Sequence, residues 1–367
     1  MYIKNAMVLS GRFKFQKADL MIGERIDHII PHEDNDDVLL DGSGDLDLCG
    51  GMLIPGLVDI HTHGALGMDA MSGNLDLDVW RKYMLDNGIT TFFPTTVTED
   101  KEKIISSVEK LSGADGIYIE GPYINSANRG AHDKEKIRIF DMDTFNSIAD
   151  RIRIVTIAPE FEENMRAIPE IVSKGVKVSL GHSSADYTTA KRAFDAGATQ
   201  LVHTFNAMNP LTHREPNLIG AALDDDRIFC EVISDGVHLH PAIVRILSKI
   251  LGPQRMLLIS DSMSATGLDD GEYILGGLKV IVKDSVARTE YGAIAGSTKN
   301  LMQMLRSAVS FGVSLEQAVE MASLTPARAA GIDREVGSIE EGKAADMVWI
   351  DPDLSIRAVI FKGKIIS

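Results

Sequence analysis

The sequence predicts an α/β protein: a (β/α)8 TIM-type barrel with a small β-sandwich module built from both chain ends. Three observations lead there. Through the middle of the chain, eight short apolar runs alternate with stretches of helical length. The two ends instead show period-2 alternation between turn signals. The length, 367 residues, suits one barrel of roughly 250 residues plus an added module. The period by itself fits a doubly wound open sheet equally well.

Residues 1–52 carry the strand-like runs YIKNAMVL, ADLMIGERIDHII and DLDLCG, and the tail carries DMVWIDPD and IRAVIFKGKII. Segments 1–52 and 343–367 are therefore expected to form the small module, by antiparallel pairing, around a barrel at 53–342. The apolar runs expected as barrel strands lie at 53–60, 89–93, 117–119, 152–157, 176–180, 200–202, 228–233 and 256–259. Continuous apolar strands imply a parallel sheet covered by helices. Amphipathic stretches at 75–87, 101–111, 161–174 and 184–196 supply four of them. Two places break the period. Residues 207–223, rich in Asn, Pro and Gly, read as a long loop. Residues 269–291 read as an inserted hairpin turning at Gly276-Gly277, ahead of a helix at 301–309.

With 44% hydrophobic and 25% charged residues, the composition excludes a disordered or fibrous chain. No apolar run approaches the roughly 18 residues of a membrane span. The start, MYIKNAMVLSGRF, lacks the apolar stretch of an export signal. Cys49 and Cys230 are too few for a disulfide framework, so a reducing cytoplasm is expected. A net charge of −16 repels phosphate backbones and argues against nucleic acid, while leaving room for a small anion held by local cations.

The chemistry-bearing residues fall at the C-terminal ends of the expected strands. Asp59-Ile60-His61-Thr62-His63 ends the first, Glu120-Gly121-Pro122 the third, Gly181-His182-Ser183 the fifth and His203-Thr204-Phe205-Asn206 the sixth. Ser234-Asp235-Gly236-Val237-His238 follows the seventh, and Ser260-Asp261-Ser262 ends the eighth. In a (β/α)8 barrel these ends share one face, where active sites form. His61 and His63 point the same way because side chains on a strand alternate. Together with Glu120, His182 and His203 they make a mixed N/O set suited to Zn²⁺, Fe²⁺, Mn²⁺ or Co²⁺. Asp261 adds a carboxylate fit for a general base or a weak ligand. Asp59 reads equally as a group that orients a ligand or as a structural one. His28, His32 and His240 read as ordinary surface or loop histidines. Phosphate-loop, dinucleotide and H-E-x-x-H motifs are absent.

The segments Pro55-Gly56-Leu57-Val58-Asp59-Ile60-His61-Thr62-His63-Gly64 and Gly342-Lys343-Ala344-Ala345-Asp346 resemble the amidohydrolase superfamily. Seven further segments resemble its N-acetylglucosamine-6-phosphate deacetylase family. They are Ile119 to Tyr123, Gly181-His182-Ser183, His203 to Met208, His213-Arg214-Glu215-Pro216, Ser234 to His238, Ser260-Asp261 and Ala295-Gly296-Ser297. The resemblance implies hydrolysis of an acetamide on a sugar 6-phosphate. By matching positions it implies that Glu120, His182 and His203 bind the main metal. His61 and His63 would bring a second ion, giving one or two divalent ions per subunit. It also implies that Asp261 shuttles the proton, while His238 or the metal stabilises the oxyanion. Substrate contacts are expected from His238, Asn206, Ala207, Ala131 with the adjoining His132, and the loop Ile294-Ala295-Gly296, with Arg214 near the phosphate. A homodimer with the pocket near the subunit interface is expected as well. The rival readings are another amidohydrolase, such as an N-acyl-amino-acid deacylase, and a non-catalytic scaffold on the same fold.

Overall fold

The computed structural model describes residues 1–32 and 46–366. All eight expected barrel strands are present, as Leu57–Thr62, Ile89–Thr96, Tyr118–Ile119, Ile154–Ile157, Lys177–Leu180, Gln200–Leu201, Phe229–Val232 and Met256–Leu258. They pair in chain order, each parallel to the next. Past their ends the first and eighth strands meet: the Asp261 N–H donates to the His61 carbonyl at 2.9 Å, and Thr62 bridges Ser262 in parallel register. This near-closure, without a reversal of strand order, excludes the open doubly wound sheet.

The strands are apolar because both faces are covered. Every residue of Leu57–Thr62 and Ile89–Thr96 is buried, between the barrel interior and the helices outside. The helices start where the sequence supplies caps. Asp76 accepts the N–H groups of Asp78 and Val79 ahead of Leu77–Asp86, which buries Trp80 and Met84. Asp186 caps Tyr187–Asp195, and Asn300 with Gln303 forms a capping box on Leu301–Ser310.

The chain ends form a separate sheet. Its order is Lys364–Ile365, Ile356–Phe361, Met347–Ile350, Met52–Pro55, Tyr2–Leu9, Phe15–Ile22, Ile26–Pro31, with Leu46–Asp47 also paired to Tyr2–Leu9. It has its own core, including Ile3, Leu20, Leu53, Met347 and Ile360. The pairing is antiparallel as expected, except that Tyr2–Leu9 runs parallel to Leu46–Asp47 and to Met52–Pro55.

Four expectations are corrected. The run at 53–60 is two strands: Met52–Pro55 belongs to the terminal sheet, and Leu57–Thr62 opens the barrel. Gly56 is the break, where a Cβ would fall 2.2 Å from Thr90 Oγ1, and apolar periodicity cannot see a break inside an apolar run. The second half of the expected loop at 207–223 is a helix, Asn217–Leu223, which buries Leu218, Ile219, Ala221 and Ala222. The insert is a three-stranded antiparallel sheet, Gly271–Leu275, Leu278–Lys283 and Val286–Thr289. Its second turn uses Asp284 and Ser285 at φ 52° and 60°, a two-residue turn without the usual Asn-Gly signal. His32 is not a surface residue: its side chain is buried, with Nε2 2.9 Å from Asp19 Oδ1. His28 is exposed, and His240 caps Pro241–Arg255 through Nδ1. Among the described residues, no helix is long and apolar enough to cross a membrane.

Candidate metal centre

The C-terminal ends of the barrel strands surround a cavity of about 270 Å³. His63, Glu120, His182, His203, His238 and Asp261 line it, as do Ala131, His132, Asn206, Ala207, Ile294 and Gly296. His61 lies just behind, fully buried, with its Nε2 3.3 Å from His63 Nε2. Ala295 is buried between two lining residues. Arg214 is exposed and outside the cavity, and none of the lining residues is Lys or Arg. The three-stranded insert reaches the cavity through Leu275, and the segment that follows its last strand contributes Ala293, Ile294 and Gly296.

The backbone that presents these groups is unusual. His182, His203 and Asp261 follow their strands with φ of 46°, 21° and 47°, and Phe205 and Ala207 are also positive, at 77° and 51°. Non-glycine residues seldom adopt this region, and where they do the surroundings over-determine it. Four of these five, His182, His203, Ala207 and Asp261, line the cavity, which makes it the candidate functional site.

The imidazoles are aimed by their second nitrogens. His61 Nδ1 donates to Glu231 Oε2 at 2.8 Å, His63 Nδ1 to the Thr95 carbonyl at 3.0 Å and His182 Nδ1 to the Asn128 carbonyl at 2.9 Å. In each ring the Nε2 lone pair is thereby turned inward. His203 Nε2 is 2.9 Å from His182 Nε2 and 2.8 Å from Glu120 Oε1, while its Nδ1 has no partner. Glu120 lies at the centre, 3.2 Å from both His182 Nε2 and His63 Nε2. Imidazole nitrogens and carboxylate oxygens converging at these distances are groups that could share a cation. Two nitrogens each about 2.0–2.1 Å from one tetrahedral ion lie roughly 3.3 Å apart, so the donor set fits a divalent metal. His132 differs. Its Nδ1 accepts the Thr98 N–H at 3.1 Å, so a neutral ring carries its proton on Nε2, 3.3 Å from Glu120 Oε2. It steadies Glu120 as a donor and in that form cannot be a ligand.

Electrostatics follow this packing. Burial pushes the Asp261 carboxyl up, but His63 and His61 outweigh burial and hold it at about 2. Burial likewise opposes ionising Glu120, yet the surrounding imidazoles, His61 foremost, hold it well below the usual carboxylate range. Burial resists charging His63, but Asp261 and Glu120 raise it to about 9. Burial lowers His182 to about 4. Asp59, fully buried, rises to about 6 by desolvation. Its Oδ1 accepts the N–H groups of Ser260 and His61, so it ties the first strand to the eighth.

Three supporting residues carry no role in the sequence analysis, although Asp235 stands in one of its strand-end segments. Glu231 stands behind His61. Asp235 Oδ2 holds His238 Nδ1 at 2.7 Å and Oδ1 accepts the backbone N–H groups of Val237 and His238. Thr98 fixes His132. A lone carboxylate inside the apolar run at 228–233 was the available signal for Glu231. Nothing local marks Thr98.

The sequence matches the amidohydrolase family over residues 52–366. It is 39% identical to an N-acetylglucosamine-6-phosphate deacetylase of Vibrio furnissii over 330 residues, covering 86% of this chain and 82% of that one. It is 38% identical to an N-acetylgalactosamine-6-phosphate deacetylase of Escherichia coli O157:H7, covering 86% and 88%. The fold is similar to that of the Mycobacterium smegmatis N-acetyl-D-glucosamine-6-phosphate deacetylase, solved as a single-substitution variant in complex with N-acetyl-D-glucosamine-6-phosphate. The TM-score is 0.91 at 34% identity, covering 100% of this chain and 98% of that one.

Proposed function

The chain belongs to the amidohydrolase family, and from that premise we propose how its site carries out the reaction. The protein is an enzyme: it hydrolyses N-acetyl-D-glucosamine 6-phosphate to D-glucosamine 6-phosphate and acetate, in amino-sugar metabolism. The observation that supports the mechanism is the convergence of inward-facing Nε2 atoms and Glu120 beside Asp261 in one cavity.

An amide is a poor electrophile and water a poor nucleophile at neutral pH. Glu120, His182 and His203 would hold a divalent ion, and His61 with His63 a second. Such an ion supplies Lewis acidity to the acetyl carbonyl and to the attacking water. Asp261, ionised at neutral pH, takes a proton from the water as the C–O bond forms. It returns the proton to the sugar nitrogen as the C–N bond breaks, acting first as base and then as acid. His238, its ring held by Asp235, contacts the substrate and steadies the developing oxyanion when Nε2 carries a proton. Asn206, Ala207, Ala131, His132 and the loop Ile294-Ala295-Gly296 enclose the sugar.

The 6-phosphate needs a cation that the lining residues do not supply. Arg214 carries the bidentate fork for it, from a second copy of the chain in a homodimer. This reading rests on its exposure outside the cavity of its own chain. We assign the reaction to the cytoplasm, where a phosphorylated sugar and the two free cysteines both fit.

The test is an acetate-release assay on N-acetylglucosamine 6-phosphate, its galactosamine epimer, unphosphorylated N-acetylglucosamine and N-acetyl amino acids. The phosphorylated glucosamine substrate is expected to have the highest kcat/KM; faster turnover of an N-acetyl amino acid would overturn the reading. In the same assay Arg214→Ala should lower kcat/KM for the phosphorylated sugar by roughly 10- to 150-fold. That corresponds to a charge-assisted contact of about 1.5–3 kcal/mol. Turnover of the unphosphorylated sugar should barely change. Equal losses on both would mean that Arg214 supports the fold and does not read phosphate.

A further inference from the structure

Glu231 is fully buried on the seventh barrel strand, directly behind the metal-facing side chains. Its Oε2 receives the His61 Nδ1–H at 2.8 Å and the His203 backbone N–H at 3.3 Å; its Oε1 has no partner. Among the candidate metal ligands, the three imidazoles with a committed Nδ1 are not treated alike. His63 and His182 donate to backbone carbonyls, which are neutral, and His61 alone donates to a carboxylate. A carbonyl would have sufficed to select the tautomer. A buried carboxylate with one oxygen unpaired is costly, and glutamine has the same shape without the charge. The charge therefore has work at this position. Glu120, Asp261 and Glu231 put three carboxylates within one buried cluster of imidazoles. A single divalent ion leaves that cluster with a surplus of negative charge; two divalent ions remove it.

We propose that Glu231 is the positioning residue for the metal position served by His61 and His63. Its carboxylate locks His61 with Nε2 inward and strengthens that nitrogen as a donor, so this position fills in addition to the one at Glu120, His182 and His203. The inference rests on the metal reading above, but it concerns how many ions are held and how tightly. The substrate-contacting residues play no part in it.

The experiment uses full-length Glu231→Gln, which keeps the shape and an acceptor oxygen, beside the parent and His61→Asn. Metal-stripped proteins, checked for folding by circular dichroism, are titrated with Zn²⁺ against a chromophoric chelator, and Co²⁺ loading is followed by its absorption spectrum. The parent is expected to bind two equivalents. Glu231→Gln should keep the first and bind the second about 10- to 100-fold more weakly, the usual effect of losing a group that orients a ligand. Combined with His61→Asn, the substitution should have no further effect on either equivalent. A second equivalent within threefold of the parent's affinity, or a parent that saturates at one equivalent, would overturn the proposal. So would equal weakening of both equivalents, which is the signature of general damage to the barrel. Two equivalents bound as expected by a protein that releases no acetate would instead overturn the mechanism and leave the role of Glu231 standing.

Discussion

Asp261 occupies a backbone position that few residues accept. At φ 47° its N–H donates to the His61 carbonyl at 2.9 Å, and its own carbonyl accepts the Ser297 N–H at 2.7 Å. These bonds hold the left-handed turn that brings its carboxylate 3.1 Å from His63 Nε2. Asparagine tolerates that region as well as aspartate does, so Asp261→Asn keeps the backbone and removes only the basic oxygen. We expect kcat to fall at least about 100-fold, the low end for lost general acid–base catalysis, with KM little changed and an unaltered circular dichroism spectrum. Steady-state kinetics decide it: a kcat within threefold of the parent's would remove Asp261 from the proton path.

Among the elements, the terminal sheet carries its own titratable strain. Asp346 leads into the strand Met347–Ile350 and accepts the Lys362 N–H at 2.7 Å. Burial raises its carboxyl from 3.8 to about 6. The folded state therefore binds a proton that the unfolded state has already lost between those values. The stability this contributes is present at low pH and is lost as pH climbs through about 6. Asp346→Asn keeps the acceptor and never ionises. It should match the parent near pH 4 and exceed it at pH 7.5 by at most about 3 kcal/mol, two units at 1.36 kcal/mol each. Urea unfolding across that range measures the difference; one that stays constant with pH would refute the assignment to Asp346.

At the scale of the whole molecule, the same chain that carries −16 overall gathers carboxylates into its barrel. Metal that binds the folded state alone stabilises it by about 2.7 kcal/mol at a free concentration 100 times Kd. With an unfolding entropy of about 2.1 cal/mol/K per residue, that amounts to roughly 3–4 °C for this length. Chelator-stripped protein should melt lower by about this much in calorimetry. Zn²⁺ should restore the Tm, and Ca²⁺ at the same concentration should not, because an imidazole-rich site suits the former. An unchanged Tm on stripping and reloading would mean that the donor set holds no ion.

The sequence by itself determined the eight barrel strands in order and, once the sheet is taken to close, the face on which His61, His63, Glu120, His182, His203 and Asp261 would meet; the near-closure that excludes an open doubly wound sheet was visible only in the structure. The sequence could do so because apolar periodicity and strand-end polarity are local properties, and a barrel converts chain order directly into position. The split at Gly56, the helix Asn217–Leu223 and the turn at Asp284-Ser285 were hidden for the same reason. Each depends on what the chain packs against, and composition does not record that. Only the tertiary structure set Glu231 behind His61, Asp235 under His238 and Thr98 against His132. These pairs unite neighbouring strands and loops up to 170 residues apart, and a hydrogen bond needs a distance and a direction that no pattern of residues along the chain specifies. Arg214 marks the limit of the single chain, since its exposed fork lies outside the cavity that its own barrel builds.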